Sequence, residues 1–233
     1  MNQAASARLK IAYVALAAAD SWLAGSGAPH AHRARLVSKP LLMPTLAASL
    51  ATNQRARTSP LRTTTLRALA FGWVGDLALL RRGTGALAAG AGSFGIGHAA
   101  YVMGLVHSRN PATRIQDRLG ARITAGIWAT SAPVMALGAY REEPVLGPAV
   151  LGYTALLCGT LATSTNLDPQ LPASSRRLAV AGAAFFMASD ATLGLRRFWW
   201  KRAPARIETL VMATYTVAQL LLAEAAARVV ETR

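Results

Sequence analysis

Eight apolar segments separated by short loops constrain this chain more than any other feature. They run over about 9–24, 37–52, 63–80, 84–107, 119–139, 145–164, 176–195 and 206–229. Most approach the roughly 20 residues that an α-helix needs to cross a bilayer. Backbone polar groups in hydrocarbon must be satisfied within the segment, so spans of this kind are helices. The chain is 15% charged, whereas soluble domains carry about 25% charged residues. Its charge lies mainly between the apolar blocks. These features predict an all-α, polytopic membrane bundle of eight transmembrane helices in a multi-pass protein of the plasma (inner) membrane. The loops are short and rich in Arg, Pro, Gly and Ser, so the whole chain, 1–233, reads as one domain.

Two segments are irregular. The second carries Pro40 and Pro44. Pro40 fits a first helical turn after Ser38 as N-cap, and Pro44 predicts a bend. In the first, Arg8 and Lys10 precede Ile11–Ala19 as in a signal peptide, but Asp20 interrupts the pattern and favours an uncleaved first helix. With eight spans, thirteen Lys or Arg residues fall on the N-terminal side and eleven on the other, a small bias toward a cytoplasmic N-terminus.

The excess of 25 Lys+Arg over 10 Asp+Glu is spread through every loop. That distribution suits anionic lipid headgroups. Nucleic-acid binding needs a basic face with base-reading partners, and that function is excluded. The single Cys158 lies mid-helix and leaves no intrachain disulfide or cysteine metal site. No HExxH or paired-histidine metal spacing occurs, and no metal or cofactor is implied. Gly-x-Ser-x-Gly is absent, which leaves a serine hydrolase unsupported. The glycines of the fourth segment, including Gly90, Gly97 and Gly104, predict close approach to neighbouring helices.

Asp76 and Asp190 lie inside apolar helices, each shortly before an arginine pair, Arg81-Arg82 and Arg196-Arg197. A carboxylate at membrane depth costs about 2.5–3.5 kcal/mol, so such residues face the bundle interior and commonly have a function. Alternating topology brings other polar residues to the same end. Asp20 closes helix one and Lys39 opens helix two. Asp76 sits about 7 Å deep at 1.5 Å per residue, and Asp190 sits at a similar depth. His98 and Tyr101 share a face, as do Tyr215 and Gln219. One cavity in which Asp76 and Asp190 face each other is the expectation. Structural alternatives stand beside it: capping for Asp20, snorkelling for Lys39, core packing for His98, interhelical hydrogen bonding for the tyrosines and Gln219, and ion pairs with Arg81 or Arg197 for the two acids. Ala70-Phe71, Asp76 and Leu79 align without gaps to Ala184-Phe185, Asp190 and Leu193, which suggests a 4+4 parallel repeat.

In that order, Asp20, Lys39-Pro40-Leu41, Gly75-Asp76 with Leu79-Leu80, Gly97-His98 with Tyr101, Phe186 through Ser189-Asp190, and Tyr215 with Ala218-Gln219 make a pattern that resembles the YhhN family. The characterised animal members of that family are lysoplasmalogenases. The resemblance covers nearly the whole chain. It implies an eight-span bundle that hydrolyses the vinyl ether bond of a lysophospholipid, releasing a fatty aldehyde and a glycerophospho-base. Such chemistry needs one carboxyl carrying a proton and one ionised carboxylate, as in glycosidases. Asp76 and Asp190 are the implied pair, with His98 orienting water or moving a proton. Asp20, Lys39, Tyr101, Ser189, Tyr215 and Gln219 would contact substrate, and Arg81 and Arg197 its phosphate. The implied partners are a membrane lipid and the bilayer. Buried Asp and His residues suit a proton-coupled transporter equally well.

Overall fold

A computed structural model describes residues 3–28, 30–81 and 83–229. The described chain is all-helical, with only a single bridge between Arg109 and Leu167 outside helices and turns. Among the described residues eight α-helices follow in order: α1 Gln3–Ala24, α2 Ala31–Thr52, α3 Arg62–Leu79, α4 Thr84–His107, α5 Leu119–Glu142, α6 Leu146–Ser164, α7 Ala173–Gly194 and α8 Arg206–Ala227. Each coincides with one of the apolar segments. Three of them, α6, α7 with its continuation to Trp199, and α8, are long and apolar enough to cross a membrane.

Most consecutive helices pack against one another, and the chain closes where α8 meets α1. In the second half α4 skips α5 and packs on α6, which leaves α5 on the outside against α6. α8 touches α1, α2, α3 and α7, so it forms the centre of the bundle. Loop contacts join like ends. Asn110 N–H donates to the Asn166 carbonyl at 2.8 Å, and Arg197 pairs with Glu142 at 3.1 Å. The helices therefore alternate in direction as the segment pattern predicts.

α2 departs from the expected boundary. It starts at Ala31, so Ser38 is an interior residue and not an N-cap, and both prolines lie inside the helix. The charged turns before Ser38 stay helical because Arg35 and Ser38 both reach Asp20 of α1. Pro44 lacks the N–H that would meet the Pro40 carbonyl. Trp73 of α3 supplies the missing donor, its Nε1 lying 2.9 Å from that oxygen.

The α3–α4 contact depends on small residues. A Cβ at Gly97 would stand 3.2 Å from the Ala68 carbonyl oxygen, and one at Gly104 would collide with Thr64. Gly90, Gly97 and Gly104 recur every seven residues and so line the one face that meets α3. α7 ends in a π-helical turn, Leu195–Trp199, that carries Arg196 and Arg197. Trp199 and Trp200 are exposed there, and the Arg141 guanidinium lies 5.4 Å from the centre of a Trp199 ring. Amphipathic aromatic rings of this kind suit a membrane interface.

Candidate active site

Two buried polar clusters meet at an aromatic layer. The first is built on α2, α3, α8 and α4. Asp76 is almost fully buried, and its Oδ1 lies 3.3 Å from Lys39 Nζ. The Tyr215 hydroxyl donates to its other oxygen at 2.8 Å. Gln219 Nε2 donates to the Tyr215 oxygen at 3.4 Å, and the Tyr101 hydroxyl donates to Gln219 Oε1 at 2.6 Å. Lys39, Asp76, Tyr215, Gln219 and Tyr101 thus form one continuous hydrogen-bonded chain across four helices. Tyr215 and Gln219 are four residues apart on α8 and present both groups on one face. Gly72 makes room for them, since a Cβ there would lie 3.1 Å from Gln219 Nε2.

Asp20 adjoins this chain. Ser38 donates to it at 2.6 Å, and the Arg35 guanidinium faces both of its oxygens at 3.4 Å. Asp20 lies within electrostatic reach of Asp76. A buried charge needs both a partner and hydrogen bonds to be tolerated. Asp20 and Asp76 each have a cation and a hydroxyl. Tyr13 of α1 fills the space beside them, its hydroxyl donating to the Thr216 carbonyl at 2.7 Å.

The second cluster is built on α4, α6 and α7. Asp190 is half-buried and accepts a hydrogen bond from Tyr153. No cation pairs with it among the described residues. His98 is 1% exposed. Its Nδ1 lies 3.0 Å from Thr160 Oγ1, and its Nε2 is buried without a partner among the described residues. Phe186 packs on the His98 ring at 4.4 Å and on Tyr215 at 5.4 Å, while Tyr153 lies 5.7 Å from His98. Phe94 stands edge-on to both Phe186 and Tyr215.

The structure brings together Asp20, Lys39, Asp76, Tyr101, Tyr215 and Gln219 as the topology predicts, and sets His98 beside Asp190's partner Tyr153. Contrary to the expectation, Asp76 and Asp190 do not face each other across one cavity but sit in separate clusters with an aromatic layer between them. The route from one to the other passes through Tyr215, Phe186, His98 and Tyr153, because α8 packs against both α3 and α7. Ser189 points to α8, where its hydroxyl donates to the Val211 carbonyl at 2.9 Å. Arg197 is engaged with Glu142, and Arg196 with Glu208 at 2.7 Å. Arg81 is exposed, and Arg82 lies outside the described residues.

Sequence reasoning did not single out Thr160, Arg35, Tyr13 or Tyr153 as site residues. A tyrosine and a threonine seven residues apart in an apolar helix share a face, which was the available signal for α6.

The YhhN family model matches residues 34–226, most of the chain. The match begins after α1, so Asp20 and Tyr13 lie outside it, whereas all the other clustered residues lie within. No curated protein and no solved structure matches the chain.

Proposed function

The chain belongs to the YhhN family, and on that premise we propose that it is a lysoplasmalogenase-like membrane hydrolase that cleaves the vinyl ether bond of a lysophospholipid. The observation that carries this reading is a pair of intramembrane carboxyl groups in different environments. Asp76 is paired with Lys39 and Tyr215, while Asp190 has a tyrosine hydroxyl and no cation. Vinyl ether hydrolysis begins with proton transfer to carbon. Asp190, without a counter-ion, is assigned the proton. Its transfer to the alkenyl carbon forms a C–H bond from the π electrons and leaves an oxocarbenium ion at the carbon bonded to oxygen. Asp76, ionised opposite Lys39, favours that cation through its field across Tyr215 and Phe186 and not by direct contact. Water adds to the cation and loses one proton, which restores the acid. The resulting hemiacetal breaks its C–O bond, and its hydroxyl proton passes to the departing glycerol oxygen. The products are a fatty aldehyde and a glycerophospho-base.

In this reading all eight helices span the plasma (inner) membrane, and Lys39 or exposed Arg81 contacts the phosphate. The bundle is further read as a 4+4 duplication. One offset relates Asp76 to Asp190, Lys39 to Tyr153 and Tyr101 to Tyr215 (190 − 76 = 153 − 39 = 215 − 101 = 114). The same shift carries α2 to 145–166, over α6, and α3 to 176–193, over α7. The two acids are then equivalent positions that diverged when one half kept a lysine and the other a tyrosine beside the carboxyl.

A second reading is a proton-coupled transporter, favoured by the unbroken chain from Lys39 to Tyr101. Tyr101 also lines a small cavity with Thr65, Leu105 and Leu222 toward the opposite end of the bundle. Purified protein in detergent, offered lysoplasmalogen and an ester lysophospholipid, separates the readings. The hydrolase releases aldehyde from the first only, and Asp76→Asn and Asp190→Asn each abolish release while remaining folded. Aldehyde from neither lipid, or full activity in both variants, rejects the hydrolase. Proton uptake by proteoliposomes that depends on Asp76 would instead support the carrier.

A further inference from the structure

The geometry points to Thr160 as a positioning residue that fixes the tautomer of His98, so that His98 Nε2 takes the proton from the attacking water. The inference rests on the hydrolase reading and adds the base that reading leaves unnamed.

Thr160 is fully buried on α6. Its hydroxyl lies 3.0 Å from the Leu156 carbonyl oxygen and 3.0 Å from His98 Nδ1. A threonine hydroxyl has one proton to donate and lone pairs to accept with. Back-bonding to the carbonyl four residues earlier, the usual habit of threonine in a helix, commits that proton. The oxygen then faces Nδ1 as an acceptor, so Nδ1 carries the imidazole hydrogen. Neutral imidazole has one donor and one acceptor nitrogen, which leaves a lone pair on Nε2.

That lone pair is buried and unmatched among the described residues. An acceptor buried without a donor forfeits its hydration with nothing in return, so its persistence calls for a ligand that supplies a hydrogen. The groups facing the ring narrow the choice. Tyr101 lies on the same helix, Tyr153 comes from α6 and Phe186 from α7, with Asp190 behind Tyr153. The Tyr101 and Tyr153 hydroxyls are committed to Gln219 and Asp190. The donor missing at Nε2 is therefore a water or hydroxyl from outside the protein. During hydrolysis the water oxygen forms its bond to the oxocarbenium carbon as one O–H bond breaks, and that proton goes to Nε2. It then returns to Asp190, the group that gave a proton to carbon, and one water is consumed per turnover.

Nitrogen NMR of protein labelled with ¹⁵N-histidine in detergent micelles reads the tautomer directly, with the His98 signals identified by their loss in His98→Gln. The expected wild-type pattern is a protonated Nδ1 and a bare Nε2; a protonated Nε2 overturns the proposal. Thr160→Val should shift the ring toward the other tautomer and lower kcat about 10-fold, as when the competent form becomes the minor one, with KM unchanged. Thr160→Ser should retain both the tautomer and the rate. His98→Gln should lose about 10²-fold in kcat. Full kcat in His98→Gln, with Asp76→Asn and Asp190→Asn inactive, overturns the base role and leaves the two-carboxylate reading standing. Absence of aldehyde release from the wild type would overturn the hydrolase and this base role with it, while the NMR result would still decide the tautomer.

Discussion

Lys39 and Asp76 show how much a single buried pair matters in this bundle. Both are almost fully buried and lie 3.3 Å apart on neighbouring helices. Removing one member leaves the other charged and alone, which costs about 3–5 kcal/mol. Lys39→Met should therefore lower the thermal unfolding temperature in detergent markedly. The double variant Lys39→Met with Asp76→Asn should recover most of that loss while staying inactive. A double variant no more stable than Lys39→Met would show that the pair is not coupled. The acids were visible in the sequence because carboxylates stand out in apolar helices. Tyr153 and Thr160 were not equally visible: they are ordinary residues of an apolar helix until the fold sets Tyr153 against Asp190 and Thr160 against His98.

At the level of elements, α2 illustrates a break repaired by a neighbour. Pro44 deprives the Pro40 carbonyl of its helical donor, and Trp73 of α3 replaces it. Trp73→Phe keeps an apolar ring but removes the donor, and it should destabilise the protein by about 1 kcal/mol. Pro44→Ala restores the helical N–H, so Trp73→Phe should have a smaller effect in that background. Equal effects in both backgrounds, measured by thermal unfolding as a double-mutant cycle, would remove the repair role. The sequence marked the donor lost at Pro44 but misplaced the helix start, because Ser38 looks like a cap until Asp20 is seen to accept its hydrogen bond.

For the whole molecule, charge is shared among six helices: α1, α2, α3, α5, α7 and α8 each carry three charged residues, and α4 and α6 carry none. The charged members of the first polar cluster come from α1, α2 and α3: Asp20, Arg35, Lys39 and Asp76. Asp20 with Arg35 and Lys39 with Asp76 pair inside the bundle. Two more pairs, Lys10 with Glu224 and Arg197 with Glu142, tie helix ends together. Pairing lowers the cost of such groups at membrane depth. In the eight-span reading, loops 109–117 and 168–172 share one face of the membrane, and loops 141–144 and 201–205 share the other. Single cysteines placed in these loops of a Cys158→Ala background should label in two groups with an impermeant thiol reagent. Labelling of all four loops from one face of intact cells would rule out that topology.

The sequence by itself determined the helices, their number, their alternating direction and the end of the bundle where the acids gather, because hydrophobic periodicity and helix length are local properties. Only the tertiary structure decided which polar groups touch. Asp76 and Asp190 lie near the C-terminal ends of α3 and α7 with the same flanking pattern, yet one meets a lysine and the other a tyrosine, with Phe186 and His98 between them. Depth follows from counting residues along one helix. Azimuth and partner depend on how α8 inserts among α1, α2, α3 and α7, and that packing is a property of all the helices together.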